Sequence, residues 1–355
     1  MMINKMSSQE RMNGLIRGTA IDRVPVNVMM GSYPAVLANI DFKTYFENTE
    51  FEDIFNLQQK CKEIFKHDGN GSFAMPGGFG VAFGGQYKFS DRVRFQNPTL
   101  TKKVIESLDD IEKLEVPDGI NAPYMCREAA YNDFVVKKGG GVGVFGGTAF
   151  TTTQELVSVD KMLKWMKTEP AMLHKLIGKV QEYLIKVGDY YVDKYGAERC
   201  GGFMPCPMES NEIISSKMFE EFSLPYIVEL YNHFVDKGVK GWNFHLCGKH
   251  QDNLTYFKND IKPLPRTIFS LGKDMDLMET GDYLGTDYII GGNLSTTLLQ
   301  IGTAEEVYKE SGKIIERAKY REGGFIFMSD CGISPMTPAD NILAMIQAAS
   351  DFGEY

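Results

Sequence analysis

Short apolar runs alternate with longer amphipathic segments along most of the chain. The short runs predict strands, which are expected at Val24–Met29, Gly143–Gly146, Cys200–Met204, Gly241–Leu246, Thr267–Leu271, Tyr288–Gly291 and Phe325–Met328. The longer segments carry apolar residues at helical spacing and predict helices at Val159–Thr168, Pro170–Tyr195, Ser216–Lys237, Ala304–Ala318 and Pro338–Phe352. Ser215 or Ser216 is expected to cap the third of these helices, and Thr303 with Glu306 predicts a capping box.

This alternation of strand and helix predicts an α/β fold with a parallel sheet. No linker, charge run or repeat divides the sequence, so the pattern favours one (β/α)8 TIM barrel over two doubly wound domains. We therefore expect residues 1–355 to form a single domain. The stretch from Asn13 to Lys137 is less regular and predicts an N-terminal extension with additional helices or a cap.

Composition narrows the functional classes. The 355 residues are 43% hydrophobic and 24% charged, which is ordinary for a globular protein. With 38 Lys and Arg against 47 Asp and Glu, the net charge is −9, which disfavours binding to nucleic acid or to an anionic membrane. The first 20 residues lack the apolar core of a signal peptide, and no stretch is apolar enough to span a bilayer. We expect a cytoplasmic protein whose six cysteines do not form a disulfide framework.

A barrel places its catalytic residues just after the carboxyl ends of its strands. His245 and Cys247 stand there after one predicted strand, and Cys331 follows another. One imidazole and two thiolates form a three-ligand set that suits zinc and leaves a fourth position open, although a His-x-Cys pair also arises by chance in a core. Cys206 and Glu209 follow a third strand and are possible fourth ligands or substrate contacts.

Other signals have simpler interpretations. Cys61, Cys126 and Cys200 are assigned to core packing. His250 follows Cys247 by three residues and either supports the site from behind its ligands or lies at the surface, and the surface is favoured. The literal G-x-G-x-x-G of residues 141–146 lacks the acidic residue that a dinucleotide site needs further along. Asp68–Gly85 contains seven glycines and is either a mobile surface loop or a backbone that closes over a ligand.

Four segments resemble the uroporphyrinogen decarboxylase superfamily, and they are Glu10–Val26, Ile214–Tyr226, Gly292–Leu294 and Cys331–Asn341. Within that superfamily, His245-x-Cys247 with the distant Cys331 is similar to the zinc signature of the cobamide-dependent methyltransferases. The resemblance implies a TIM barrel, a zinc site at these three residues and a possible substrate contact at Asn293.

The resemblance also implies an activity. It points to zinc-dependent methyl transfer between a small substrate, a thiol such as coenzyme M or a methoxylated aromatic, and the cobalamin of a separate corrinoid protein. The glycine-rich residues 69–85 would be a candidate for closing over that partner. The direction of transfer, the fourth ligand and the oligomeric state stay open.

One departure from the superfamily limits the alternatives. Uroporphyrinogen decarboxylases carry an arginine-rich segment that holds the substrate carboxylates, whereas residues 26–33 here read VNVMMGSY and contain no arginine. A carboxy-lyase acting on a tetrapyrrole is therefore the less favoured alternative, and a corrinoid or tetrapyrrole carrier without turnover is a third.

Overall fold

Seven parallel strands form the central sheet in a computed structural model that describes residues 6–122 and 124–355. The strands in chain order are β1 (Val26–Asn27), β2 (Gln86–Lys88), β3 (Thr99–Lys102), β4 (Val142–Gly146), β5 (Cys200–Pro205), β6 (Gly241–Leu246), β7 (Ile268–Leu271), β8 (Ile289–Leu294) and β9 (Phe325–Ser329). The sheet has the order β1-β9-β8-β7-β6-β5-β4, while β2 and β3 form a separate antiparallel pair. All seven predicted strands are confirmed as members of the sheet, which curls into a TIM-barrel-like fold.

Helices connect successive strands. They are α1 (Ser8–Arg17), α2 (Tyr33–Leu37), α3 (Phe42–Glu47), α4 (Phe51–Phe65), α5 (Gly78–Ala82), α6 (Leu108–Lys113), α7 (Met125–Lys137), α8 (Ala149–Leu156), α9 (Val159–Thr168), α10 (Pro170–Tyr195), α11 (Ser216–Phe222), α12 (Leu224–Asp236), α13 (Leu254–Tyr256), α14 (Leu277–Leu284), α15 (Thr296–Ile301), α16 (Ala304–Ala318) and α17 (Ala339–Phe352). A π-helical turn follows α13 at Phe257–Ile261, and 3-10 turns lie at Gly119–Asn121, Ala197–Arg199 and Gln251–Asn253. None of the helices described is long and apolar enough to cross a membrane.

The five predicted helices are confirmed, except that one of them is divided into two helices. The predicted helix Ser216–Lys237 is split into α11 and α12 at Ser223, whose backbone leaves helical geometry. Pro225 explains the division, because it has no amide hydrogen to continue the helix and restricts the residue before it. The predicted caps form, since Ser215 accepts from the amide of Met218 and Thr303 forms a capping box at the start of α16.

The eighth strand of the predicted barrel is absent from the residues that the structure describes. Its place beside β1 is taken by the chain that follows α4, where the amide of Asp68 donates to the Val26 carbonyl at 2.6 Å. Glycines at 69 and 71 explain the lack of a strand, because glycine offers no side chain to pack and weakens strand geometry. The barrel wall is consequently open between β1 and β4.

A buried ion cluster holds this replacement segment. The Asp68 carboxylate, fully buried, accepts from Arg11 at 2.6 Å, from Arg23 at 3.0 Å and from the amide of Val26 at 2.9 Å. Arg11 also pairs with Asp22 at 2.7 Å. These contacts tie α1, β1 and the chain after α4 together at one side of the barrel.

Candidate metal centre

Three side chains of metal-ligating types meet at the carboxyl end of the sheet. His245 lies near the end of β6, Cys247 follows that strand, and Cys331 follows β9. β6 and β9 are separated in the sheet by β7 and β8, yet the sulfur atoms of Cys247 and Cys331 are 3.9 Å apart because the sheet curls. One potential ligand atom from each of the three residues lies within 4.8 Å of the other two. The structure therefore brings together the three residues that the sequence singled out.

The imidazole of His245 is oriented by a hydrogen-bond chain along β6 and β7. Its Nδ1 lies 3.0 Å from the Ser270 hydroxyl, which donates to Asn243 Oδ1 at 3.0 Å. Since the hydroxyl hydrogen is directed to Asn243, we assign the imidazole hydrogen to Nδ1. Nε2 then carries the lone pair, and it is buried without a hydrogen-bond partner among the described residues. A buried, unpartnered nitrogen of this kind is suited to a metal ion.

A hydrogen bond couples the two cysteine side chains. The Cys247 thiol donates to Cys331, which lowers the pKa of the Cys331 thiol. The same donated hydrogen bond, together with burial, raises the pKa of Cys247 above its usual range. The pair therefore holds one thiolate readily, and the thiolate is the form that binds metals.

A second histidine supports the loop that carries Cys247. The favoured surface position of His250 is wrong, because the residue is fully buried. Its Nε2 donates to the Cys247 carbonyl at 3.1 Å, which agrees with the alternative of a supporting residue. Burial lowers the pKa of His250 to about 4, which keeps the ring neutral. Gly248, at φ +84°, lets the chain turn back beneath the strand end and so buries the histidine.

The two possible fourth ligands are buried beside this centre. Cys206 follows β5, and its amide donates to the His245 carbonyl at 2.9 Å, while burial raises the pKa of its thiol. Glu209 is buried among hydroxyl groups and accepts from Thr151 at 2.6 Å, from Ser223 at 3.0 Å and from Thr148. Neither residue belongs to the cluster of three ligand atoms, and a role for either at the metal stays a prediction.

The variant Glu209→Gln separates an anchoring role from a ligand role. Because three hydroxyl groups already donate to the carboxylate, we expect this variant to lose about 1–3 kcal/mol of unfolding free energy. We expect its metal content to match that of the unchanged protein. Elemental analysis beside a denaturant titration measures both quantities, and loss of the metal would identify Glu209 as a ligand.

Asn293, the predicted substrate contact, lies in β8 near the same end of the sheet. Its amide nitrogen donates to the carbonyls of Gly272 at 3.0 Å and Met275 at 2.7 Å, which fixes the chain after β7. Contact with a substrate therefore stays a prediction for this residue. Of the three cysteines assigned to packing, Cys61 and Cys200 are buried, whereas Cys126 is exposed on α7.

A cavity of about 890 Å³ lies inside the barrel beside the cluster, because Phe203 in its lining stacks on the His245 imidazole. It is bordered by residues 27–31 on one side, residues 139–143 on the other, and residues 70–72 at the opening in the wall. Asn243, Phe203 and Gly332 form its end beside the cluster. Segment 26–33, which contains no arginine, therefore contributes directly to the cavity.

The chemistry of the three donors fits zinc. Two sulfur atoms and one imidazole nitrogen form a borderline-soft set that favours zinc over magnesium or calcium. Three protein ligands with room for a fourth is the pattern of catalytic zinc sites. The buried Nε2 of His245 has no hydrogen-bond partner among the described residues, and this supports the fit to zinc independently.

Comparisons with known proteins give one family and several methyltransferases. Residues 7–352 match the family model described as uroporphyrinogen decarboxylase (URO-D). The chain is 25% identical over 210 residues to the methylated-thiol–coenzyme M methyltransferase of Methanosarcina mazei, covering 57% of this chain and 51% of that relative. It is 22% identical over 260 residues to methylcobamide:CoM methyltransferase MtbA of Methanosarcina acetivorans, covering 72% of each.

A solved structure has the same overall fold. The chain superposes on a methyltransferase from Methanosarcina mazei with a TM-score of 0.75 at 18% identity, over 98% of this chain and 99% of that one. At this identity the likeness concerns the fold, and it supports the barrel prediction. The match to the first relative above spans only about half of that relative's length, 51%.

Proposed function

The chain belongs to the uroporphyrinogen decarboxylase (URO-D) family, and on this premise we propose that it is a zinc-dependent methyltransferase. It moves a methyl group between a small substrate and the cobalamin of a separate corrinoid protein. The observation that carries the proposal is the cluster of His245, Cys247 and Cys331, with their ligand atoms within 4.8 Å. The relatives named as methylcobamide:CoM methyltransferases support the corrinoid as methyl donor or acceptor.

The residues of this chain hold and orient the centre. His245, Cys247 and Cys331 would hold the zinc, while Ser270 fixes the imidazole tautomer and His250 fixes the loop of Cys247. When bound, zinc supplies a Lewis acid that can lower the pKa of a substrate thiol or polarise the oxygen of a methyl ether. The partly buried position of both cysteines limits the access of water to the reacting atoms.

Segment 26–33 disfavours the alternative of a tetrapyrrole carboxy-lyase. Met29, Met30 and Gly31 border the cavity, and the segment carries no arginine or lysine. A porphyrinogen brings several carboxylates, each of which needs a cation or hydrogen-bond donors when it is removed from water. The corrinoid partner, a cytoplasmic location and the single-domain organisation stay predictions.

Metal analysis and a methyl-transfer assay test the proposal together. Purified protein is expected to contain about one zinc per chain, as catalytic sites of this ligand set do. The assay follows the absorbance of free methylcobalamin with coenzyme M as acceptor, and of Co(I) cobalamin with methoxylated arenes as donors. Methyl transfer in either direction supports the proposal. Zinc-loaded protein that transfers no methyl group in any of these reactions would refute it.

A variant of Ser270 tests whether its hydrogen bond orients the His245 imidazole for metal binding. Ser270→Ala removes the partner of Nδ1, so the ring loses its fixed tautomer and orientation. We expect zinc affinity to fall by about 10- to 100-fold, the usual cost of losing such a partner. Competition with a chromogenic chelator measures the change. Ser311→Ala, another buried serine but on α16, is the matched control and should leave the affinity unaltered.

A further inference from the structure

The loop that carries Cys247 is joined to the loop after β5 by a buried set of amide hydrogen bonds. Asn253 is fully buried, and its side-chain nitrogen donates to the Glu209 carbonyl at 2.8 Å. The same nitrogen lies 3.4 Å from Nδ1 of His250. On the other side, Asn253 Oδ1 accepts from the side-chain amide of Asn211 at 3.0 Å. The support of Cys247 therefore extends beyond the histidine that contacts its carbonyl.

The direction of these hydrogen bonds follows from two backbone groups that have only one possible role. The amide of Asp252 can only donate, and it lies 3.1 Å from Asn211 Oδ1. The Asn211 nitrogen then faces Asn253, whose oxygen accepts from it. The carbonyl of Glu209 can only accept, so it requires the nitrogen of Asn253 on its side. Both ends of the set therefore assign the same orientation to the Asn253 amide.

This orientation fixes the position of the hydrogen on the His250 ring. The Asn253 nitrogen donates one hydrogen to Glu209 and directs its second to Nδ1 of His250, which accepts. Nε2 lies 3.1 Å from the Cys247 carbonyl, which is an acceptor, so Nε2 carries the ring hydrogen. A hydrogen on Nδ1 would place two donors against each other. The contacts therefore select the neutral ring with its hydrogen on Nε2.

The selected form of the ring acts on the peptide group that follows Cys247. His250 holds the carbonyl of that peptide, and the next residue, Gly248, turns the chain at φ +84°. Because a peptide group is planar, a carbonyl held in one direction fixes the plane that begins at the Cys247 backbone. A ring with its hydrogen on Nδ1 would instead turn a lone pair toward the carbonyl oxygen. The tautomer of His250 therefore bears on the position of the Cys247 sulfur.

We propose that Asn253 is a positioning residue of the metal centre, which sets the place of the Cys247 sulfur by holding His250 with its hydrogen on Nε2. The inference rests on the proposed function, because it concerns the centre at which that function takes place. Asn211 extends the support to the loop after β5, which also carries Glu209. Partners that orient a metal ligand in this way typically change metal affinity by about 10- to 100-fold.

Nitrogen NMR of the histidine rings tests the direction of the hydrogen bonds without any metal. The protein has five histidines, and the ring signals of His250 are those that disappear in His250→Phe. In protein labelled with [15N]histidine, we expect His250 to show one protonated ring nitrogen, Nε2, and one unprotonated nitrogen, Nδ1. A hydrogen on Nδ1, or on both nitrogens, would contradict the role given to Asn253.

A double-mutant cycle tests whether Asn253 acts through His250. Zinc affinity is measured by competition with a chromogenic chelator in Asn253→Leu, in His250→Phe and in the double variant. We expect zinc binding to weaken by about tenfold in Asn253→Leu and by about 10- to 100-fold in His250→Phe. The double variant should bind zinc no more weakly than His250→Phe alone, whereas additive losses would show that the two residues act separately.

A half-buried position offers a second variant, should Asn253→Leu fold poorly. Asn211→Leu removes the outer amide, which donates to Asn253 Oδ1. We expect a smaller loss of zinc affinity than in Asn253→Leu, and again no added loss when it is combined with His250→Phe. An additive loss in this pair would likewise overturn the path through His250.

A conservative variant and a matched control separate the position of the ligand from general stability. His250→Gln can place an amide hydrogen near the position of Nε2–H, so we expect it to bind zinc more tightly than His250→Phe. Gln181→Met removes another buried amide, which donates to the Tyr226 carbonyl from α10. It should lower the unfolding midpoint and leave zinc affinity and the absorption bands of bound Co(II) unaltered, whereas Asn253→Leu should shift those bands.

The outcomes keep the inference and the proposed function apart. Unchanged zinc affinity and unchanged Co(II) bands in Asn253→Leu overturn the positioning role, while methyl transfer by the unchanged protein still supports the proposed function. Metal affinities that respond as expected, without methyl transfer to or from any probe, overturn the proposed function and leave the positioning role. Folded protein that binds neither zinc nor Co(II) overturns both.

Discussion

Cys331→Ser is expected to remove the metal and to abolish methyl transfer. The residue supplies one of the two sulfur atoms of the proposed site, and the hydrogen bond from Cys247 lowers the pKa of its thiol. A serine hydroxyl keeps its proton at neutral pH and is a poor ligand for zinc. We expect zinc affinity and methyl-transfer activity each to fall by more than about 100-fold. This loss is larger than the loss expected when a residue that hydrogen-bonds to a ligand, such as Ser270, is removed.

Elemental analysis gives the zinc content, and cobalt substitution gives an independent signal. Co(II) bound to two thiolates shows sulfur-to-metal absorption bands, and Cys331→Ser should weaken them. Cys126→Ser is the matched control, because Cys126 is exposed on α7 and is not one of the three clustered residues. Full zinc occupancy in Cys331→Ser would contradict the assignment of this ligand.

The sequence was sufficient to predict which three residues meet at one point, because their positions follow from strand order alone. A strand pattern at 241–246 and another at 325–328 placed His245, Cys247 and Cys331 at carboxyl strand ends, and a barrel brings such ends together. Ser270 could not be assigned in the same way. Its contact with His245 depends on the register in which β7 pairs with β6, which the hydrophobic pattern does not encode.

The cavity also depends on register. Gly143, Gly201 and Gly241 are far apart in sequence, and only the pairing of β4, β5 and β6 places them at one level. A single glycine in a predicted strand therefore does not indicate a cavity. The usual count for a barrel predicts an eighth strand, but the glycines after Asp68 favour an irregular segment, which leaves the wall open.

Asp68→Asn is expected to cost the protein about 3–5 kcal/mol of unfolding free energy, the range for removing one partner of a buried ion pair. The carboxylate is buried between Arg11 and Arg23, with contacts of 2.6 and 3.0 Å. An amide of the same size keeps the packing but removes the negative charge that the two buried guanidinium groups share. The loss of unfolding free energy therefore reports the electrostatic contribution of the carboxylate and not the creation of a void.

The effect should extend to the cavity, because Asp68 anchors the segment that stands in place of the eighth strand. Its amide and carboxylate both bond to Val26, and residues 70–72 of the same segment border the cavity. Denaturant titration gives the stability, with Asp91→Asn as control, because its pair with Lys88 is exposed and should contribute no measurable stability. If Asp68→Asn unfolds at the same denaturant concentration as the unchanged protein, the ion cluster does not hold this wall, and the open side of the barrel must be stabilised by the apolar contacts of α4 instead.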